Sequence, residues 1–365
     1  ELADFYSGGT PTSSNSKYYS GSIPFIRSGE IHKDSTELKI SEDGLKNSSA
    51  KLVCKGDLLY ALYGATSGEA DISRIDGAIN QAILAIKVNE YSSKKFLLNF
   101  FNYRKNNILS KYLQGGQGNL SAQIIKNLNI ELPYVSEQEK IGDLFSKIDQ
   151  LIESQQELVD QTMAFKKSML QKMFPKKDSL VPEFRFDGFS GSWQTVKVKD
   201  IFKITRGNVL SRERTSEEKT EIFSYPVYSS QTTSNGLMGY YNDYLFDTAI
   251  TWTTDGANAG DVNFRNGKFY ATNVCGVLLS EKKHSNKAVA EILNSIAYKH
   301  VSKVGNPKLM NNVMSEIIIR IPNSIEEEIK ISNFLENIDE KIAREEKLLD
   351  AYKDMKKSLL QKIFV

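Results

Sequence analysis

A long internal repeat is the most constraining feature of this sequence. Residues 147–174 and 337–364 both finish on the pattern Lys-Lys-Ser-x-Leu-Gln-Lys-x-Phe, and Asp149 and Asp339 occupy matching positions 190 residues apart. A repeat of this length usually decides the architecture of a chain. We therefore expect one globular unit followed by one long helix, present twice and related by a pseudo-twofold axis.

Both repeated segments carry the periodicity of long helices. Their apolar residues recur at alternating three- and four-residue steps, which is typical of a coiled-coil seam. We expect an antiparallel coiled coil, because each helix follows its own globular unit and this pairing puts the units at opposite ends. Packing of each helix on its own unit is the alternative. The predicted seam consists of Ile141, Leu144, Ile148, Leu151, Leu158, Phe165 and Met169, with polar Gln155 and Thr162, and of Ile331, Phe334, Ile338, Ile342, Leu349, Tyr352 and Leu359, with polar Glu345.

The ends of both helices are also marked in the sequence. Ser136 and Ser324 follow proline-containing turns and precede a glutamate by three residues, so they are the predicted N-caps of two capping boxes. Near the other ends, Lys166-Lys167 and Lys356-Lys357 are interpreted as exposed charges that compensate the helix dipole. Docking of a partner protein is the alternative interpretation of these lysines.

The segments before the helices are predicted to be α+β. Short β-rich stretches alternate with Gly and Asn clusters, and each unit contains one further helical pattern. The predicted strands are 57–63, 82–88, 249–253, 274–279 and 317–321, and the predicted helices are 93–113 and 286–301.

These patterns divide the chain into four segments. We expect a first globular domain at 1–133, a central long helix at 134–177, a second globular domain at 178–322 and a C-terminal long helix at 323–365. Pro182–Trp193 precedes the part of the second domain that matches the first domain, and no counterpart of this segment precedes Glu1. By repeat symmetry, we expect about 20 residues of the first domain to lie outside this sequence.

Composition restricts the class of protein. The chain has 47 basic and 45 acidic residues, which excludes a histone-like polycation, so DNA binding would require local phosphate contacts or a partner's positive surface. Cys54 and Cys275 occupy non-equivalent positions and are interpreted as buried thiols rather than a disulfide or a metal site. No apolar run reaches transmembrane length, and we expect a cytoplasmic protein without a membrane association.

The sequence offers no persuasive catalytic constellation. It has no GxxxxGK[ST] phosphate loop and no Asp/Asn-Pro-Pro-Tyr/Phe motif, and His32, His284 and His300 lack the spacing of metal ligands. Residues 115–119, Gly-Gly-Gln-Gly-Asn, favour a flexible loop over a nucleotide site, because no Lys-Ser/Thr follows them. The sequence therefore predicts no catalytic residue and no metal ligand.

Several further segments have distinctive sequences besides the repeated KKSLLQKIF-like ending. They are FYSGGTP (5–11), KGDLLYALYGATSG (55–68), AINQAILAI (78–86), IELPYVSEQEKIGDLFSKID (130–149), VPEFRFDGFSGSW (181–193) and the segment 317–342. In these segments, and in the layout of two globular units each followed by a long helix, the chain resembles the DNA-specificity subunits of type I restriction-modification systems. The resemblance covers essentially the whole chain.

The resemblance implies a function and a set of partners. In that family each globular domain is a target-recognition domain that reads one half of a split double-stranded DNA site, and the helices separate the domains and dock two methyltransferase subunits. Motor and nuclease subunits join in the full complex. The chain itself is implied to be non-catalytic and without a cofactor, whereas its partners are expected to use S-adenosylmethionine, ATP and Mg.

Candidate base-reading residues are polar side chains in loops that follow strands. Asn and Gln pair bidentately with adenine, and Arg and Lys pair with guanine or bind phosphates. The matching positions Asn80 and Asn273 suggest a buried scaffold role instead. The candidates are Arg27, Ser28, Lys33, Tyr63, Thr66, Ser67, Gln81, Gln114, Gln117 and Asn119 in the first domain, and Arg206, Asn208, Tyr228, Ser229, Ser230, Gln231, Thr254, Asn258, Lys303, Asn306 and Lys308 in the second.

Two other functional hypotheses stay open at the level of sequence. One is a single-chain nuclease or a fused methyltransferase, which the missing motifs disfavour. The other is a coiled-coil scaffold whose globular ends bind proteins. The sequence does not give the bases read, the spacer length or the grooves entered.

Overall fold

The computed structural model describes residues 2–112, 119–230 and 234–364. The chain divides into two compact units. Unit 1 comprises Glu1–Gln156 and Leu348–Val365, and unit 2 comprises Glu157–Lys347. Each unit therefore contains one globular domain and one end of each long helix. No helix within the described ranges combines the length and the apolar character needed to cross a membrane.

Unit 1 is α+β, as predicted. Its strands form two four-stranded sheets, with the orders β1-β8-β5-β6 and β3-β2-β7-β4, in which only the pairing of β2 with β7 is parallel. The elements are β1 (Ala3–Ser7), β2 (Ile23–Ile26), β3 (Lys39–Ile40), α1 (Glu42–Lys46), β4 (Lys51–Val53), β5 (Leu58–Ala61), β6 (Ala70–Ile72), β7 (Gly77–Ile79), β8 (Ile83–Val88), α2 (Lys94–Tyr112), α3 (Ala122–Lys126) and the start of α4 (Val135–Met173).

The central strand β5 is buried on both faces. Leu58 and Tyr60 pack towards α2 and the long helices, whereas Leu59 and Ala61 pack towards the second sheet. Successive side chains of a strand point to opposite faces, so a four-residue strand contributes to two cores. This explains why the sequence shows a continuous apolar run here rather than an alternation.

Unit 2 repeats this arrangement with the strands joined into one larger sheet. Its six strands have the order β10-β15-β13-β14-β11-β12, and a separate two-stranded sheet pairs β9 with β16. The elements are β9 (Gln194–Lys197), α5 (Val198–Ile201), β10 (Lys203–Arg206), β11 (Tyr225–Tyr228), β12 (Leu237–Tyr241), β13 (Phe246–Thr253), β14 (Val262–Ala271), β15 (Cys275–Leu279), α6 (Lys287–Ala297), α7 (Asn311–Glu316), β16 (Ile318–Ile321) and α8 (Ile325–Ile363).

The predicted antiparallel pairing of the long helices is confirmed. In unit 1 the end of α8 lies against the start of α4, where Phe364 stacks on Phe145 at 6.2 Å between ring centroids and Lys356 bonds Asp149 at 2.5 Å. Higher residue numbers on one helix thus meet lower numbers on the other. In unit 2 the end of α4 joins the start of α8 in the same core.

The predicted seam is only partly correct. Leu144, Leu151 and Phe165 are 41%, 47% and 50% exposed, whereas Phe145 and Val159 are buried. The sequence carries two adjacent apolar stripes on α4, and residues one position apart lie about 100° apart on a helix. The stripe that includes Phe145 is buried, because it reaches the aromatic core of unit 1.

A reciprocal ion pair, not dipole compensation, accounts for one lysine of each repeated pair. Lys166 bonds Asp339 at 2.6 Å within unit 2, and its repeat counterpart Lys356 bonds Asp149 within unit 1. The residues that define the repeat therefore join the two helices. This corrects the interpretation of Lys166 and Lys356 as free exposed charges.

Two further expectations from the sequence are wrong. Helix α4 begins at Val135, so Ser136 lies inside it, whereas Ser324 is the N-cap of α8 and accepts a hydrogen bond from the backbone N–H of Glu327 at 3.2 Å. Cys54 is exposed in the turn after β4, and only Cys275 is buried. Burial raises the pKa of the Cys275 thiol to about 11.

The aromatic ring of Phe364 should be essential to unit 1. It is 6% exposed and contacts the rings of Phe96, Tyr103 and Phe145. Phe364→Ala should lower the free energy of unfolding of unit 1 by about 3 kcal/mol, because the substitution leaves a cavity. Urea unfolding monitored by amide hydrogen exchange in β5 and β8 measures this. The control Leu151→Ala, at a half-exposed side chain of α4 in unit 1, should lose less than about 1 kcal/mol; an equal loss in both variants would contradict the prediction.

Candidate nucleic-acid interface

The two units share one loop with the same backbone. In unit 1 this loop runs from Gly64 to Gly68, and in unit 2 it runs from Gly256 to Gly260. All four glycines have positive φ, between 84° and 95°, a conformation that L side chains rarely adopt. The repeat therefore preserves a backbone shape that requires glycine at both ends of the loop.

Equivalent backbone hydrogen bonds hold both loops. Gly68 N–H donates to the Ala61 carbonyl at 2.8 Å, and Gly260 N–H donates to the Thr253 carbonyl at 2.9 Å. The frame also includes the domain helices, since Asn102 of α2 accepts a bond from Ala70 N–H, and Asn294 of α6 accepts one from Val262 N–H. Two of the three side chains inside the loops differ, because unit 1 has Ala-Thr-Ser and unit 2 has Ala-Asn-Ala.

In unit 1 the structure brings five of the candidate residues together. Thr66 donates to the carbonyl of Ser28 at 2.9 Å, and the Ser28 hydroxyl lies near Gly64. Tyr63 shares a hydrogen bond with Gln81, which also accepts one from Thr10 at 2.6 Å. Ser67 donates to the Leu62 carbonyl at 3.0 Å. The candidates form one polar patch made of Ser28, Tyr63, Thr66, Ser67 and Gln81.

The remaining candidates of unit 1 have different surroundings. The Arg27 guanidinium bonds both oxygens of the buried Glu30, at 3.0 and 3.1 Å, and it also bonds Glu37. Its donors are thus committed to carboxylates, which gives Arg27 a role in holding its loop. Lys33 and Asn119 are exposed. Gln114 and Gln117 lie outside the described residues.

In unit 2 a second loop packs beside the glycine-bounded one. Residues 302–308 form a loop that two backbone hydrogen bonds close, one in each direction between Ser302 and Lys308. Gly256 N–H donates to the Pro307 carbonyl at 3.0 Å. Lys308 lies 3.6 Å from the Asp255 carboxylate. Lys303 and Asn306 are exposed on this loop. By the repeat, the three candidates on this loop are the counterparts of Gln114, Gln117 and Asn119.

The other candidates of unit 2 lie next to these loops or on the strand ends. Asn258 donates to the Ser230 carbonyl at 3.3 Å, and Ser229 accepts a bond from Thr272 at 3.0 Å. Arg206 and Asn208 are exposed at and just after the end of β10. Gln231 lies outside the described residues.

Two polar residues belong to the scaffold rather than to the loop surface. Thr254 is fully buried, and its hydroxyl bonds Asp255 and the Val274 carbonyl, so its side chain is unavailable to a base edge. Asn80 accepts a bond from Ala82 N–H at 3.0 Å, in keeping with the expected scaffold role. Its counterpart Asn273 is exposed, which corrects the expectation of a shared buried role.

Sequence reasoning missed Arg265, which organises the surroundings of Tyr228. Arg265 is 8% exposed, and its guanidinium lies 3.6 Å from the centroid of the Tyr228 ring. It donates to the Thr251 hydroxyl at 3.0 Å and to the Asn235 carbonyl at 2.6 Å. Burial lowers the pKa of this guanidinium. A buried cation stacked on Tyr228 fixes that ring. Arg265 itself lines a polar cavity of about 250 Å³.

Sequence reasoning also missed a charge cluster around His32. The imidazole bonds Asp71 through Nδ1 at 2.9 Å and Glu69 through Nε2 at 2.8 Å, and Lys105 bonds Glu69 at 2.7 Å. The hydrogen bond with Asp71 is the main cause that raises the pKa of His32 above 6.5, and Glu69 adds to it, although burial opposes them. The cluster fastens the loop after β2 to β6.

His32 should make the stability of unit 1 depend on pH. The pKa of His32 is raised in the folded state. The interactions of its imidazole therefore contribute fully to the free energy of unfolding below about pH 6.5, and this contribution is lost as the pH rises through the folded-state pKa. The difference in free energy of unfolding between the wild type and His32→Gln should therefore be largest below about pH 6.5 and should shrink as the pH rises above it. Urea titrations of both proteins at several pH values measure it, and a difference that grows with pH would contradict the assignment.

Comparison with known proteins identifies the family. A family model described as "Type I restriction modification DNA specificity domain" matches residues 1–161 and 191–352. A putative type I specificity subunit from Mycoplasma pneumoniae, S.MpnORF507P, is 40% identical over 150 residues, which span 40% of this chain and 40% of that protein. A second one from the same organism, S.MpnORF365P, is 32% identical over 249 residues, which span 65% of this chain and 88% of that protein.

A solved structure shows the same fold. The S subunit of a type I restriction-modification system from M. genitalium aligns with a TM-score of 0.73 at 16% identity, over 100% of this chain and 94% of that one. The family model matches each repeat once and covers most of the sequence. The chain therefore belongs to the family of type I restriction-modification DNA specificity domains.

Proposed function

We propose that this chain is a non-catalytic DNA-sequence reader in a type I restriction-modification complex. Each globular domain binds one half of a bipartite, asymmetric site on double-stranded DNA. One observation carries the proposal: the glycine-bounded loop has the same backbone in both units but different side chains. Two similar frames with different polar surfaces suit two half-sites of different sequence.

The candidate residues are suited to two kinds of DNA contact, with base edges and with phosphates. Asn258 and Asn306, with Thr66 and Gln81, carry amides or hydroxyls suited to base edges. The exposed cations Lys33, Arg206 and Lys303 are suited to phosphates, which set the position of a protein on the duplex without reading sequence. With a net charge of only +2, such contacts must be local.

The long helices have two roles in this proposal. They set the spacing between the half-sites, and their exposed faces dock two methyltransferase subunits. Exposed apolar side chains on long helices are typical of protein contacts. In unit 1 these are Leu144 and Leu151 of α4 and Leu348 and Met355 of α8, each at least 40% exposed. Motor and nuclease subunits complete the complex, and the partners, not this chain, use S-adenosylmethionine, ATP and Mg.

Exchange of one domain should change one half of the methylated DNA motif. In cells that express this chain with its methyltransferase subunit, N6-methyladenine should map to a single split motif that is lost when the chain is deleted. Replacement of residues 1–133 by the corresponding domain of another specificity subunit should alter only one half of that motif. Methylation that does not depend on this chain would instead favour the protein-binding scaffold.

Two exposed residues of the same loop should have different roles on DNA, one in positioning the protein on the duplex and the other in reading a base. Lys303→Ala should weaken DNA binding of the reconstituted complex similarly on all sequences and lower the slope of log K against log salt by about 1. Asn306→Ala should instead reduce discrimination at one base pair of one half-site by about 1–3 kcal/mol. Competition binding with single-base variants of the site, at several salt concentrations, measures both effects. A sequence-dependent effect of Lys303→Ala would reverse the assignment.

A further inference from the structure

Unit 1 contains a wide groove that the proposed function does not use. Its cavity volume is about 1020 Å³. Its floor is formed by apolar residues of α2, the start of α4 and the end of α8, and the segment 128–133 forms one wall. The cations Arg104, Lys111 and Lys362 also line the groove. The floor residues that matter here are Phe96, Phe100, Ile108, Ile141 and Phe364.

In unit 2 the chain itself covers the corresponding face. The segment 175–197 folds back over the end of α4, where Phe184 N–H donates to the Lys172 carbonyl at 2.9 Å. Trp193 lies 6.3 Å from Phe174, and Phe186 lies 5.6 Å from Phe334. Phe174 is the repeat counterpart of Phe364, whose ring lines the groove of unit 1.

The covering segment also completes a sheet. Its last residues form β9, which pairs antiparallel with β16, from Gln194 opposite Ile321 to Lys197 opposite Ile318. By the repeat, residues 129–132 of unit 1 match β16, and they border the groove. No strand pairs with 129–132 within the described part of the chain. An extended segment with unpaired backbone groups is a ready edge for strand addition.

An ion pair fixes the covering segment in unit 2, and its acidic half is present in unit 1. Arg185 bonds both oxygens of the buried Glu327, at 2.8 and 2.7 Å. The counterpart of Glu327 is Glu137, whose side chain lines the groove. Among the described residues, Glu137 has no ion-pair partner. A second carboxylate, Glu131, lines the same wall.

We propose that the groove of unit 1 is a docking site for an extended peptide of the chemistry of residues 179–197. The occupant carries two aromatic residues around an arginine, then a tryptophan, then a short strand. Its arginine pairs with Glu137, its aromatic side chains cover the floor around Phe364, and its strand adds to residues 129–132. The inference does not depend on DNA reading, because it rests on the unequal coverage of the two repeats.

A synthetic peptide tests the proposal with the full chain. A fluorescent peptide of residues 179–197, with a photo-reactive group in place of Phe186, should bind the intact protein one to one in an anisotropy titration. Cross-links should fall on residues 96–112 or 128–141. Failure to bind, equal binding of a scrambled peptide or cross-links confined to residues 317–335 would overturn the proposal.

Charge reversal gives the decisive variant and its control. Glu137→Lys should weaken binding about tenfold, because it replaces an attractive charge pair by a repulsive one. A peptide that carries Arg185→Glu should bind the Glu137→Lys protein better than the wild-type peptide does. Glu139→Lys, an exposed residue of the same helix outside the groove, should leave binding unchanged. Methylation motifs should be the same in both variants, so a negative result here leaves the DNA-reading proposal untouched.

Discussion

The packing of the two long helices into both domain cores is the interaction on which the structure depends. In unit 1, Phe364 from the end of the chain completes an aromatic cluster with α2 and the start of α4. In unit 2, Met173 from the end of α4 is buried with Trp193 and the start of α8. Neither domain has a complete core without segments of both long helices. The reciprocal pairs Lys166–Asp339 and Lys356–Asp149 fix the register of this packing.

A second reciprocal contact ties each domain helix to a long helix. Gln138 of α4 accepts a bond from Ser93 N–H, just before α2, and its counterpart Glu328 of α8 bonds the Asn286 side chain, just before α6. Both side chains are almost completely buried. Buried polar groups require partners, so these bonds orient the start of each domain helix. Because the domain helices hold the glycine-bounded loops through Asn102 and Asn294, hydrogen bonds connect the long helices to the glycine-bounded loop within each unit.

The backbone of the glycine-bounded loops is the same in both units, whereas the side chains on the loop surfaces differ. Equivalent backbone bonds and positive-φ glycines hold the loops, but their side chains differ, which is what the proposed recognition of two unlike half-sites would require. The candidate site was predictable as a set of loops, because Gly clusters after strands mark turns. Which of the candidate side chains are buried or bound to other residues was not predictable. Arg27 binds carboxylates and Thr254 is buried, and both facts depend on residues that are far away in sequence or on the packing of the whole sheet.

The sequence alone determined the repeat, the α+β class, the antiparallel helices and the approximate positions of the main strands. Local periodicity and repeated residues carry that information. Tertiary structure decided which apolar stripe of α4 became the seam, since Leu144 and Phe145 are equally apolar neighbours and only Phe145 meets the aromatic core of unit 1. It also decided the role of Arg265, because no sequence pattern predicts that this residue is buried and stacks on Tyr228. The physical reason is common to both cases: burial depends on what lies across the core, and the residues across the core are distant in the chain.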